Sequence, residues 1–496
     1  MQNVIAPLFN RFQVLPSEIL NYERHFAVGG CLLMGIVSDL ESILPGGVLS
    51  AREELIPYSR DASHYDGELP AAVVLPRTSG EVSAVLKYCS GKGIPVVARG
   101  GGTSLTGASI PVPGAVVMSL MRMDRVMSVS VEDRVAEVQA GVRIDALNRR
   151  LAGLGQMFPP DPGSSIAATV GGIINTNAGG LRCVRYGTTK DWILGVEAVL
   201  MDGTVLQFGN RTLKSRIGYD LTSLLVGSEG TLAVVTRAYV KIVSKPQAVA
   251  RLLAYFSDIE SLGRAVADVK AAGMEPLIAE YLDGMTMKAV ESTGTYKFAV
   301  CAPYVLLLDL DGPEEALSRY VQEASSLLRR SGATEISSTT DRAELDTLYT
   351  ARKGAYSSLL KLRRSERDVV LIGDIVVPPS TLPAVLRSIN SIVESEGIRV
   401  ALFGHIGDGN IHANIFFDQG DSSERARVEH FHSSIARVAL EHGGSVSAEH
   451  GIGLEKMELL REEYRYRRSE KALELMKGIK SVFDPKGLLN PGKVLH

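Results

Sequence analysis

Three glycine-rich loops between residues 99 and 232 constrain this chain more than any other feature. The first, Arg99-Gly100-Gly101-Gly102-Thr103-Ser104-Leu105-Thr106-Gly107, follows a short apolar run that reads as a strand. Consecutive glycines reach positive φ and leave backbone N–H groups unshielded. Such groups pointing one way form a nest for an anion, and Thr103 and Ser104 add hydroxyl donors. The loop is neither a Walker loop nor a GxGxxG turn opening a helix. Alone it is a pyrophosphate cradle or a plain tight turn. The second cluster runs from Pro160-Asp161-Pro162-Gly163-Ser164 through Thr169 to Gly172, Asn175, Asn177, Gly179 and Gly180. Its small polar residues make a poor core and a good surface for a flat ligand. A third loop, Gly227-Ser228-Glu229-Gly230-Thr231, leads into another strand. Together the three predict a large, extended cofactor lying against backbone.

The remainder of the chain fits a folded enzyme. At 496 residues, two or more domains are expected. A 45% hydrophobic, 22% charged composition excludes a mainly disordered chain. A net charge of −3 points to neither nucleic acid nor an anionic membrane surface. Cys31, Cys89, Cys183 and Cys301 form no CxxC pair, which argues against a disulfide framework, a zinc ribbon or a cysteine-ligated iron–sulfur cluster. A reducing, cytoplasmic setting is expected. The apolar run 26–37 is too short to span a bilayer. Glu23, Arg24 and His25 before it argue against a cleaved signal. It reads as part of an N-terminal extension, 1–50, of unassigned role, with Met34 as an alternative start. Residues 51–245 read as α+β. From 246 onward, repeated strand–helix crossovers predict a split βαβ sandwich. The tail, 451–496, is helical until Asp484-Pro485.

A histidine hairpin lies in the second half. Gly404-His405-Ile406-Gly407-Asp408-Gly409-Asn410-Ile411-His412-Ala413-Asn414 has apolar flanks around an Asp-Gly turn. If Asp408 and Gly409 are the two turn residues, His405 faces His412 and Phe403 faces Asn414. Facing side chains sit about 4.5–5.5 Å apart. Glu449, in Ala448-Glu449-His450-Gly451, supplies a carboxylate. Two neutral imidazoles and a carboxylate suit a divalent metal with open positions, Zn or Fe(II). His450 diverges from its neighbour and reads as an acid–base group. His25, His64, His430, His432, His442 and His496 show no such setting, and His430 and His432 are expected to be solvated.

These stretches carry a family resemblance. ARGGGTSLTG, PPDPGS, GGIINTNAGG, YGTTKDWILGVEAVLMDG, GSEGTLAVVT, GHIGDGNIHAN and AEHGIG resemble the vanillyl-alcohol-oxidase/PCMH flavoprotein superfamily. The similarity is to the branch of glycolate oxidase large subunits, FAD-linked D-lactate dehydrogenases and D-2-hydroxyglutarate dehydrogenases. It implies a two-subdomain PCMH-type FAD-binding domain over 51–245. It also implies a ferredoxin-like α/β cap over 246–450, and a tail, 451–496, that returns to the FAD domain. The first loop, Arg99 to Ser104, then holds the FAD pyrophosphate. Pro160, Asp161, Ser164, Thr169, Gly172, Asn175, Asn177, Gly179, Gly180, Glu229 and Asn490 are placed around the cofactor. The first loop offers no histidine, so non-covalent FAD is implied.

The resemblance further implies His405, His412 and Glu449 as metal ligands and His450 as the base. It makes Asn414 a contact to substrate or ligand, and Arg352, in LYTARKGAY, the clamp on the substrate carboxylate. An arginine suits that task through its planar fork of donors. The implied reaction is oxidation of a D-2-hydroxy acid to a 2-oxo acid, with hydride passing to flavin N5. The dicarboxylate-using branch has a lysine where this chain has Ile372. That departure favours D-lactate or glycolate over D-2-hydroxyglutarate. Without cluster cysteines, electrons must pass to a separate acceptor: an electron-transferring flavoprotein, an iron–sulfur subunit, a cytochrome or a quinone. Membrane attachment would come through such a partner, and a homodimer stays open. Two other readings are a non-redox ether-lipid synthase of the same superfamily and a non-enzymatic FAD module.

Overall fold

The computed structural model describes residues 31–300 and 302–495. Expectations for residues 1–30, Cys301 and His496 therefore lie outside the described residues.

The first sheet has four strands in the order Val48–Leu49, Ala72–Val74, Val116–Ser119, Val96–Arg99. The last three run parallel. Parallel strands need a crossover, and helix Ser79–Lys92 carries the chain from Ala72–Val74 to Val96–Arg99, leaving the place between them for Val116–Ser119. Its ends are written locally: the Thr78 side chain accepts from the Glu81 N–H, and Gly93 closes the helix at φ +70°. The chain leaves strand Val96–Arg99 directly into Gly100–Gly102, so the first glycine loop sits at a strand's carboxyl end.

The second sheet is antiparallel: Val126–Ser130, Val135–Gln139, Val234–Lys241, Ile193–Val199, Val205–Gly209. Against the second sheet lies the short helix Val170–Thr176, started by the Thr169 side chain on the Gly172 N–H. The helix lies so near the sheet that a Cβ on Gly171 would stand 2.8 Å from the Ala140 Cβ. One apolar core, from Leu40 through Val116 and Ile173 to Val234, runs through both layers.

The cap is a seven-stranded antiparallel sheet. Its order is Glu335–Thr339, Ala248–Phe256, Tyr304–Gly312, Ile278–Asp283, Val400–Gly404, Asn410–Asp418, Asp368–Val376. Strand Ala248–Phe256 shows why both faces are covered. Leu252, Ala254 and Phe256 meet helices Ile259–Ala271, Glu314–Arg330 and Leu382–Glu396 on one face. Leu253 and Tyr255 meet Met287, Leu348 and Leu359 on the other. The period-two alternation of a strand thus serves two apolar layers. The sheet order also sets the histidine hairpin, 400–418, between strands Ile278–Asp283 and Asp368–Val376.

The tail returns to the first sheet. Leu489 bridges Val96 in parallel, and the Asn490 N–H donates to the Val96 carbonyl at 2.8 Å.

Candidate active site

A cleft of about 340 Å³ opens between the two halves. One wall is backbone-rich: Arg99, Gly100, Gly101, Gly102, Thr103, Ser104, Ser164, Thr169, Gly172, Asn175 and Glu229 line it. Arg352, Ile372, Phe403, His405, His412, Asn414, Glu449 and His450 form the opposite wall. Bare backbone is structurally required in the first loop. A Cβ on Gly100 would stand 2.3 Å from Thr169 Oγ1, and one on Gly101 2.2 Å from the Ala167 carbonyl. A groove with glycine backbone on one side and hydroxyl residues beside it fits a dinucleotide lying along it.

Six residues expected around the cofactor do not line this cleft. Pro160 is buried beside it. Asp161 turns its carboxylate to Lys353 Nζ at 3.0 Å and the Tyr349 hydroxyl on the cap, and to Arg182 of its own half at 3.7 Å. Asn177, at φ +49°, accepts from the Thr188 hydroxyl and the Lys190 N–H. Gly179 makes room for Glu449, whose Oε2 would lie 2.6 Å from a Cβ there. Gly180 makes room for the Asp161 carbonyl. Asn490 donates to the Ala108 and Glu229 carbonyls, bracing two glycine loops from behind. Glu229 joins the cradle to the first loop of the tail, accepting from the Ile452 and Gly453 N–H groups at 2.7 and 2.8 Å. Burial pushes its carboxyl up to about 7.

The histidine hairpin departs from the expected register. Phe403 pairs with His412 and Ala401 with Asn414, two residues away from a two-residue Asp-Gly turn. The cause is a 3₁₀ turn, Ile406–Asp408, closed by Gly409 at φ +92°. His405 and His412 are still adjacent, with ring centroids 5.2 Å apart at right angles. Both Nε2 atoms point at one oxygen, Glu449 Oε1, at 3.1 and 3.3 Å. These three ligand atoms lie within 4.8 Å of one another. Asp374, His412 and His450 form an overlapping second group. Two ring nitrogens converging on a carboxylate oxygen is a donor set that fits a divalent cation.

Charge in this cluster is strongly coupled. Burial alone would lower the His405 pKa, but the Glu280 and Glu449 carboxylates outweigh it and raise it well above the ordinary value. Burial would also raise Glu449, yet His405 and His412 hold it well below the usual carboxylate range. His450 goes the other way: burial lowers it to about 4, leaving a neutral imidazole at pH 7. It stacks on His412, centroids 5.0 Å apart.

Arg352, on helix Arg342–Lys353, is buried with its guanidinium 4.7 Å from the Phe403 ring. It makes an ion pair with Glu280, and its Nε has no hydrogen-bond partner among the described residues. Asn414 is fully buried; its Nδ2 donates to the Ala401 carbonyl, and its Oδ1 is unpartnered among the described residues.

Two acids were missed by sequence reasoning. Glu280 holds His405 Nδ1 at 2.7 Å. Asp374 Oδ2 accepts the N–H groups of Ala448, Glu449 and His450 at 3.0–3.1 Å, plus Lys456 Nζ at 3.2 Å, and its Oδ1 lies 3.5 Å from His412 Nδ1. Each is a carboxylate in the interior of a largely apolar strand, IAEYLD or DVVLIGDIV, whose other acid stands at the strand end; that interior acid is the signal that could have found them. His432, expected in solvent, is buried, and burial lowers it to about 3. The reason is helix phase: Ser422–Glu441 turns Phe431, His432 and Ile435 to the sheet, whereas His430 is exposed.

Residues 70–209 match the FAD binding domain model, and residues 245–494 match the model of the FAD linked oxidases' C-terminal domain. The glycolate oxidase subunit GlcD of Bacillus subtilis is 36% identical over 88% of this chain and 91% of that protein. A D-lactate dehydrogenase of Archaeoglobus fulgidus is 36% identical over 90% and 98%. Among solved structures, p-cresol methylhydroxylase superposes with a TM-score of 0.78 at 16% identity, covering 94% of this chain and 98% of that one. An alkyldihydroxyacetonephosphate synthase gives 0.73 at 19%, covering 92% and 85%. At such identities the structures establish the fold alone, which is the PCMH type. Matched in both its domains and along most of its length, this chain belongs to the FAD-linked oxidase family.

Proposed function

We propose that this enzyme oxidises a small D-2-hydroxy acid, D-lactate or glycolate, to the 2-oxo acid and passes the electrons to a separate acceptor. One observation carries the reading: a glycine cradle, a buried arginine, a histidine–carboxylate cluster and a neutral histidine share one cleft. The names of the relatives, glycolate oxidase subunit and D-lactate dehydrogenase, support it.

The glycine wall takes non-covalent FAD, and His405, His412 and Glu449 hold a divalent cation, Zn or Fe(II). When bound, FAD supplies the acceptor for the substrate hydride and the cation supplies a Lewis acid. Arg352 binds the substrate carboxylate through donors left free by Glu280. His450, with Nδ1 turned to Asp374 at 3.8 Å, takes the hydroxyl proton at Nε2. Asp374 fixes the backbone that carries both Glu449 and His450. Phe403 and Ile372 keep that end of the cleft apolar, and Ile372 disfavours a second carboxylate. The acceptor is a partner of the electron-transferring flavoprotein, iron–sulfur subunit or quinone class. No helix among the described residues is long and apolar enough to cross a membrane.

Anaerobic mixing with D- and L-2-hydroxy acids tests the reading. D-lactate or glycolate is expected to bleach the flavin, and D-2-hydroxyglutarate to do so poorly. A His450→Ala variant should retain FAD and slow bleaching by roughly 10²–10⁴-fold. Flavin that stays oxidised with every acid would overturn the assignment. Turnover of a phosphate ester without bleaching would favour the ether-lipid synthase chemistry.

A further inference from the structure

Glu280 stands between two parts of the site that have different tasks. It projects from strand Ile278–Asp283, beside the histidine hairpin, and is 0% exposed. Oε1 lies 2.7 Å from His405 Nδ1, while Oε2 makes the ion pair with Arg352 Nη2. One carboxylate therefore touches a proposed cation ligand with one oxygen and the proposed carboxylate clamp with the other. Phe403 closes the group: Arg352 lies over its ring, and the ring sits 5.5 Å from His412.

We propose that Glu280 is a positioning residue that couples binding of the substrate carboxylate to binding of the cation. The inference rests on the reading of Arg352 and of the His405, His412 and Glu449 set given above. Two effects are expected from the geometry. Accepting the Nδ1–H fixes the His405 tautomer and keeps Nε2 free to ligate. Sharing its charge between Arg352 and His405 makes Glu280 responsive to either partner. A carboxylate arriving on Arg352 neutralises the guanidinium, and more of the Glu280 field then falls on His405. The imidazole becomes the stronger donor and holds the cation more tightly. By reciprocity, the cation tightens the carboxylate site by the same factor.

Zinc affinity of the FAD-loaded protein, measured by competition with a chelator, is the readout. It is taken with and without saturating propionate, which has the carboxylate and lacks the 2-hydroxyl. In the native chain propionate should tighten zinc about fivefold or more. Glu280→Gln should weaken zinc by roughly 10–100-fold and abolish the propionate effect. A residue that merely supports the fold would lower the melting temperature and leave both quantities unchanged, and that result overturns the proposal. If Glu280→Gln sheds its flavin, Glu280→Asp decides by the same two readouts, since it keeps the charge but shortens the reach. An unchanged zinc affinity and propionate effect in that variant overturns the proposal as well. Native protein that takes up no zinc, Fe(II) or Mn(II) overturns the cation site itself, and flavin bleaching by D-lactate in that protein would leave the FAD chemistry standing.

Discussion

Glu455 is a carboxyl held almost out of water, with Oε2 unpartnered among the described residues and His64 Nδ1 3.8 Å away. Burial pushes its pKa from 4.5 up to about 8; Lys456 opposes the shift, and Asp374 and Asp61 reinforce it. Between those values the unfolded chain has released this proton and the folded chain has kept it. Stability is therefore lost as pH rises from about 4.5 to 8. Glu455→Gln should remove that penalty. The variant's melting temperature should exceed the native one at pH 8, by roughly 2–4 °C per kcal/mol recovered, with no gain at pH 4. The same chemistry explains which residues could be read from the chain. Histidines and glycines in runs announce themselves by spacing. Glu280 and Asp374 act through partners that are distant in sequence, so only their oddity among apolar neighbours marks them.

The histidine hairpin shows how far an element can be read before it folds. Apolar flanks and an Asp-Gly step located both strands and brought His405 to His412. The step does not reveal the added 3₁₀ turn, because what holds it is distant in sequence: Gly407 lies against Ala279 and Val184, and Ile406 is buried in the core. Gly409 carries the cost of that turn. It sits at φ +92°, and a Cβ there would stand 1.8 Å from the Val377 carbonyl. Gly409→Ala should misplace His405 relative to His412. The variant is expected to keep FAD and lose most of its zinc uptake, read as metal per flavin after dialysis. The glycine loops were legible for the opposite reason: their shape is set by local backbone freedom, which sequence states directly.

Across the whole molecule, the cleft exists only while two separately built halves stay in register. Asp161 is one fastener, tying the flavin-side loop to Tyr349 and Lys353 on the cap. Its motif placed it at the cofactor, but its carboxylate serves the seam, while the neighbours Pro162, Gly163 and Ser164 line the cleft. Asp161→Ala should take the carboxylate from Arg182 and leave Lys353 only the Ser165 hydroxyl and Asp145, and cost roughly 1.5–3 kcal/mol. Faster FAD loss on gel filtration, with a lower melting temperature, would register it. The other fastener is the tail, where Leu489 and Asn490 lie against strand Val96–Arg99 and under the Glu229 loop. Those residues leave the ribosome after the entire cap. A nascent chain can finish its cap while the nucleotide cradle still lacks its back support, so the cofactor site is completed only after the cap has been made.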